Sequence, residues 1–290
     1  MVQAATIIHT RTRSCDFPST LAVCPSVLSS SEVKQVHKQI LAATRSIDTM
    51  RQDEVRYMVY TCGNHIVAGM VSFLKNLAEN SAADEKFFAD EKGRSIYAFV
   101  GFAFRKGHLI TPRIHKKILW DRFKSYMDPI WEHTVLETQT SNLTEMDFPE
   151  ADIREPAGAE TVAEQTLYIM GANDTNLFSY WLGQALQGKD VSFCSNLTDA
   201  RVVKETAFRI LTTKANTIER IKKEAAAPPQ TRSMPADVSS HPSAGSYQKK
   251  NADRKGGGSH GQTFIGTSKN LWILITGLIF ILILLIVLLR

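Results

Sequence analysis

Three short polar runs carry the residue types from which a ligand site is built: Gly171-Ala172-Asn173-Asp174, Cys194-Ser195-Asn196 and Thr212-Thr213-Lys214. Each closes a stretch of strand-like composition: QTLYIM at 165–170, Asp190 to Cys194, and Ala207 to Thr213. In open α/β sheets, ligands collect outside the carboxyl ends of strands. Amides, hydroxyls and an acid at such ends suit a small polar molecule. A helical pattern follows the first run, and a helix N-terminus favours an anionic group; Lys214 adds a positive charge. The candidate ligand-binding residues are therefore Gly171, Asn173, Asp174, Ser195, Asn196 and Lys214. The plainer reading is ordinary turns and caps, which use the same residue types.

Other chemistries find less support. Cys194 with a distant histidine would make a nucleophile and base, and Cys62 lies three residues from His65. A buried strand cysteine is usually inert packing, however, and no serine sits in a G-x-S-x-G elbow. The four cysteines, Cys15, Cys24, Cys62 and Cys194, form no CxxC, and His108 and His115 are seven apart with no HExxH. No metal site is expected, and unclustered cysteines fit reduced cytosolic thiols. The acidic loop of Asp84, Glu85, Asp90 and Glu91 lacks the alternation of a calcium loop and is expected to be solvated surface. GGGSHG at 256–261 has neither a preceding strand nor a following helix, and both a P-loop and a GxGxxG are missing, so no nucleotide cofactor is expected. No residue is assigned a catalytic role. The basic residues are not interleaved with aromatics, which disfavours nucleic acid as a partner.

The elements that would position these runs can be read from periodicity. TIIHTRTR alternates like a strand. Ser29 and Glu32 form an S-x-x-E capping box, with Leu28 and Val33 at staple positions. Val33, Val36, Ile40, Leu41, Thr44 and Ile47 follow at helical spacing. VRYMVYTCGNHIVAGMVSFL reads as a hairpin turning at Gly63-Asn64, and Ser95 to Phe104 reads as a central strand, apolar on both faces. Thr111-Pro112 reads as a helix start, carrying Leu119, Phe123, Tyr126, Met127 and Ile130 to an end at Asp128-Pro129. Residues 138–158 are polar and irregular, a candidate subdomain boundary. Asn173 or Asp174 then caps a helix bearing Leu177, Phe178, Trp181, Leu182 and Leu186, which Gly188 stops. A final helix begins at Thr217. The fold class expected over residues 1–225 is α/β or α+β, a sheet with flanking helices.

Beyond it the composition changes. Residues 226–268 are rich in Pro, Gly, Ser and Ala with almost no large apolar side chain, which predicts a disordered linker. As a flexible coil of about 40 residues it spans roughly 35 Å. Residues 271–289, LWILITGLIFILILLIVLL, carry no charge, and 16 of the 19 are Leu, Ile, Phe or Val. A helix of that length is about 28 Å long, close to the ~30 Å hydrocarbon core of a bilayer. Those side chains favour insertion by about 5–8 kcal/mol. A single C-terminal transmembrane helix is expected, with Trp272 at its interfacial edge. Lys249, Lys250, Arg254, Lys255 and Lys269 precede it and only Arg290 follows. Retention of positive charge on the cytoplasmic side places the N-terminal domain in the cytoplasm and these residues at the membrane surface. Residues 1–18 hold no apolar run of signal-peptide length, so the chain reads as tail-anchored. The triplets at Asn142, Asn173 and Asn196 match the N-glycosylation pattern and would matter only if the domain were exported.

The expected partners are the lipid bilayer and a protein at the membrane. The expected function is that of an adaptor, sensor or scaffold whose cytoplasmic domain binds a partner or ligand. The alternative is a membrane-tethered enzyme or effector of a signalling or defence assembly with a small-molecule site at the strand ends.

Overall fold

The computed structural model describes residues 1–15, 20–162, 164–171 and 174–226. Asn173, the linker after residue 226, the basic flank (Lys249, Lys250, Arg254, Lys255, Lys269) and the apolar segment 271–289 with Trp272 lie outside the described residues. Among the described residues no helix is long and apolar enough to cross a membrane.

The domain is a mixed α/β structure built on one sheet of 11 strands. In chain order these are β1 (Val2–His9), β2 (Val23–Pro25), β3 (Val55–Cys62), β4 (His65–Phe73), β5 (Tyr97–Arg105), β6 (Gln139–Ser141), β7 (Thr144–Met146), β8 (Glu160–Val162), β9 (Gln165–Ile169), β10 (Ser192–Cys194) and β11 (Ile210–Thr213). The order across the sheet is β6-β2-β1-β5-β4-β3-β10-β11-β9-β8, and β7 pairs with β1. The helices are α1 (Ser30–Thr44), α2 (Leu74–Leu77), α3 (Lys116–Met127), α4 (Asp174–Leu186), α5 (Ala200–Glu205) and α6 (Ala215–Ala226).

The central strands are apolar on both faces because both are covered. On β5, Ala98, Val100, Phe102 and Phe104 pack into one core with α2, α3 and α4. Phe99 and Ala103, on the opposite face, pack into a second core with α1, α5 and α6. The strand alternation thus sorts one sequence into two layers of helices. Gly69 and Gly101 are paired across β4 and β5 on the second face. A Cβ at Gly69 would sit 2.4 Å from the Val100 carbonyl oxygen, and one at Gly101 2.5 Å from that of Ala68. The Phe99 ring lies against both glycines and occupies the space their side chains would need.

Several local expectations hold. The Ser29–Glu32 capping box is formed in both directions. β3 and β4 join through Gly63-Asn64, with Cys62 paired to His65 and Gly63 at φ +56°. α4 ends at Leu186, two residues before Gly188. Others fail for tertiary reasons. Thr111-Pro112 does not open a helix: Pro112 bridges to Glu150, and α3 starts only at Lys116 with His115 as its cap. Thr111 is drawn instead to the segment ahead of β8, where Ala151 N–H donates to its carbonyl at 3.0 Å. Nor is the acidic loop solvated throughout. Asp84 and Asp90 are buried, Asp84 accepting from Trp120 Nε1 at 2.9 Å and Lys124 Nζ at 2.7 Å. Leu41, placed in the buried stripe of α1, is exposed. Residues 138–158 contribute β6 and β7 to the same sheet that β8–β11 continue.

Candidate functional site

β9, β11 and β10 run parallel, so their carboxyl ends share one edge of the sheet. From β9 the chain enters α4 on the first face; from β11 it enters α6 on the second. Adjacent strands whose exits diverge in this way open a crevice between them, the switch point at which open α/β sheets bind ligands. β3 is antiparallel to β10, so its first residues border the same edge.

The sequence-derived residues fall here unevenly. Gly171 N–H donates to Asp174 Oδ1 at 3.3 Å, closing the turn into α4. Ser195 is locked into β3: Tyr57 N–H donates to its Oγ at 2.8 Å, and its own N–H donates to the Tyr57 carbonyl at 2.9 Å. Asn196 adopts φ +62°, a left-handed conformation that Asn tolerates better than most residues. Its Nδ2 donates to the Val55 carbonyl at 3.0 Å and its backbone N–H to Thr212 Oγ1 at 2.9 Å. Its Oδ1 is buried and has no hydrogen-bond partner among the described residues. The Asn196 side chain is therefore an internal element of the crevice, not an open glycosylation acceptor. Lys214 differs from the rest: it is exposed, and its carbonyl caps the start of α6 by accepting from Thr217 and Ile218 N–H. Asn173 lies outside the described residues.

Asp174 is the titratable group of this crevice. Burial pushes its carboxyl up to about 6, against the opposing effect of hydrogen bonds from Gly171 N–H and the Thr212 hydroxyl. The two cysteines weighed as nucleophiles are not activated. Burial pushes Cys194 up to about 12, with Arg56 opposing the shift. The Cys62 thiol donates to Gln35 Oε1 at 3.3 Å, while His65 Nδ1 meets Glu32 Oε1 at 2.9 Å.

Three groups escaped the sequence reading. Tyr57, whose hydroxyl lies 3.0 Å from Thr175 Oγ1, sits in a strand with no motif around it. Arg56 is fully buried and donates to four backbone carbonyls, those of Ala43, Arg45, Ser46 and Asn196, so it fastens the C-terminus of α1 to the crevice. Finally, a cavity of about 410 Å³ opens on the outer side of the first turn of α4. Arg113, Asp152, Arg154, Thr175, Asn176 and Ser179 line it. Asn176 fastens the 151–158 segment over α4, accepting from Arg154 N–H at 3.2 Å and donating to the Arg154 carbonyl at 3.1 Å. Only the 175–179 spacing on one helix face is visible in the sequence; the arginines arrive from remote segments.

Comparison of the chain with protein-family models, with curated proteins and with solved structures gives no match.

Proposed function

We propose that this protein is a single-pass membrane protein, anchored by the segment 271–289, whose α/β domain lies on the cytoplasmic side and works by binding. It would serve as an adaptor, sensor or scaffold for a small ligand or a protein partner at the bilayer. The observation that carries the binding half is the crevice at the divergent exits of β9 and β11. Buried acceptors there, Asp174 and the unpartnered Asn196 Oδ1, exceed what turn closure needs. The anchoring half rests on the uncharged run 271–289, the basic residues Lys249 to Lys269 ahead of it and Trp272 at its edge.

The test is extraction and protease protection of the full-length protein in sealed vesicles. Anchoring predicts that the chain resists alkaline carbonate, that ending it after Asn270 releases it, and that protease added outside cytoplasm-facing vesicles digests the domain. Release of the intact chain by carbonate overturns the proposal.

One observation favours the enzymatic alternative. A carboxyl at about 6 is suited to general acid–base work near neutral pH. Asp174→Asn separates the two readings, because the amide still accepts a hydrogen bond but moves no proton. Ligand binding then survives within a few-fold, whereas turnover is abolished.

A further inference from the structure

We infer that the cavity over the first turn of α4 binds the phosphate group of a small phosphomonoester. The proposal rests on reading the domain as a binding module.

The groups facing the cavity are mostly donors. Arg113 and Arg154 bring two guanidinium groups, from the segment before α3 and from the segment before β8. Arg113 is exposed, and among the described residues its side chain has no ion-pair or hydrogen-bond partner. Thr175 and Ser179 are one helical turn apart and both line the cavity; the Thr175 hydroxyl lies 3.0 Å from that of Tyr57, and with Tyr57 as donor its own proton is left for a ligand oxygen. α4 is 13 residues long, and its first turn brings backbone N–H groups without intrahelical partners and the positive end of the helix dipole.

Ser179 separates this cavity from an ordinary helix start. It is only 9 % exposed, it lines the cavity, and among the described residues its hydroxyl makes no hydrogen bond. With no partner among those residues, this hydroxyl keeps its proton and its lone pairs for whatever enters the cavity. Here the open direction is the cavity itself, so a ligand oxygen completes it. Tetrahedral phosphate offers oxygens to two guanidinium forks and two hydroxyls at once, which planar carboxylate does not. At about 410 Å³ the space exceeds a bare phosphate, and Ile114 and Ala151 give it an apolar wall. The ligand is therefore an ester with a small organic body.

Asp152 is the one carboxylate in the lining, and it accepts from Arg154 Nη2 at 3.2 Å. Both side chains are about four-fifths exposed, so the pair is weakly held and competes with an incoming phosphate. Removing that competitor should strengthen binding, an outcome that a merely structural role for these residues does not produce.

The test uses the full-length chain in neutral detergent, titrated calorimetrically with inorganic phosphate and with glycerol 3-phosphate. Saturable binding is expected, with the ester tighter than the inorganic ion. The double variant Arg113→Gln/Arg154→Gln weakens it by at least about tenfold, and Asp152→Asn tightens it by about threefold. Ser179→Ala weakens it by about five-fold. The substituted arginines are exposed, so an unchanged melting temperature without ligand verifies folding. Phosphatidic acid mixed into the micelles distinguishes the sources: competition with glycerol 3-phosphate identifies a lipid headgroup, and its lack a free metabolite. An absence of saturable binding, or binding that the double variant leaves unchanged, overturns the proposal. Carbonate extraction decides anchoring without reference to this cavity, so the two readings fail separately.

Discussion

Asp90, in the loop before β5, and Asp174, just after the carboxyl end of β9, are both 7 % exposed, yet their carboxyls are driven in opposite directions. Burial raises both. At Asp90 it is overcome by backbone and side-chain hydrogen bonds from Arg94, the charge of Arg11 and the Lys92 N–H, and the carboxyl falls to about 2. Arg11 Nη1 lies 2.8 Å away and Arg94 Nε 2.6 Å. At Asp174 the donors are one backbone N–H and one hydroxyl, and burial prevails at about 6. Partners set the sign at Asp90, and desolvation sets it at Asp174. The antiparallel half of the sheet closes its buried acid with cations and so holds structure. The parallel half leaves its acid short of compensation where the strands end.

The sharpest way to break this comparison is to replace each aspartate by asparagine and measure unfolding at pH 7. Asp90→Asn removes a charge held by two arginines and two backbone amides, so a loss of about 3–5 kcal/mol is expected. A loss below about 1 kcal/mol would show that the ion pair is not structural. Next in size is Arg56→Met, which keeps the aliphatic volume and removes the donors to four carbonyls. A loss of about 2–4 kcal/mol is expected, since the Ala43 and Asn196 carbonyls lose their donor at buried positions. Arg56 joins α1 to the Asn196 turn, so the variant should also raise amide exchange at Ser195 and Asn196.

These contrasts mark what the sequence can disclose. The capping box of α1, the Gly63-Asn64 turn and the strand ends at Gly171, Ser195 and Thr212 follow from local rules of spacing and turn chemistry. The three strand ends meet because parallel pairing puts like ends together, which periodicity implies. Lys214 follows β11 directly, and its exposure depends on where α6 turns away, which spacing does not show. Asp90 and Asp84 were read as surface because an acidic run looks solvated until the partners, Arg11 and Lys124, arrive from 79 and 40 residues away. Arg113 and Arg154 meet at α4 for the same long-range reason. Charge compensation between distant segments is the part that one-dimensional reading does not reach.

Asp174→Asn should behave oppositely to Asp90→Asn. The folded carboxyl binds its proton more tightly than the unfolded one, about 6 against 3.8. Between those values the native state holds more protons, so wild-type stability declines as pH rises through this window. The variant is therefore expected to be more stable than wild type by about 1–3 kcal/mol at pH 7 and to lose that advantage below about pH 4. A variant that is less stable at pH 7 would mean that the crevice compensates the Asp174 charge beyond what its hydrogen-bond donors supply.

The smallest expected effect is in the wild-type pH profile, where two groups oppose each other. His9, in β1, is buried with its ring centroid 5.2 Å from that of His37. Burial, with the charge of His37, lowers its imidazole to about 4 from 6.5, against a hydrogen bond to the Thr20 backbone. Here the unfolded state holds more protons between 4 and 6.5, so this contribution rises with pH and is lost as pH falls. Its window nearly coincides with that of Asp174, and its sign is opposite. The Asp174 and His9 contributions should therefore nearly cancel from pH 4 to 6, and stability should decline steeply only below 3.8, where the unfolded Asp90 carboxyl takes up a proton that the folded one binds only at about 2. Each single variant should unmask the other group. In Asp174→Asn the melting temperature climbs with pH across this range; in His9→Gln it falls. Parallel profiles for the two variants would mean that neither group titrates as its surroundings dictate, and the contrast between the two halves of the sheet would lose its electrostatic basis.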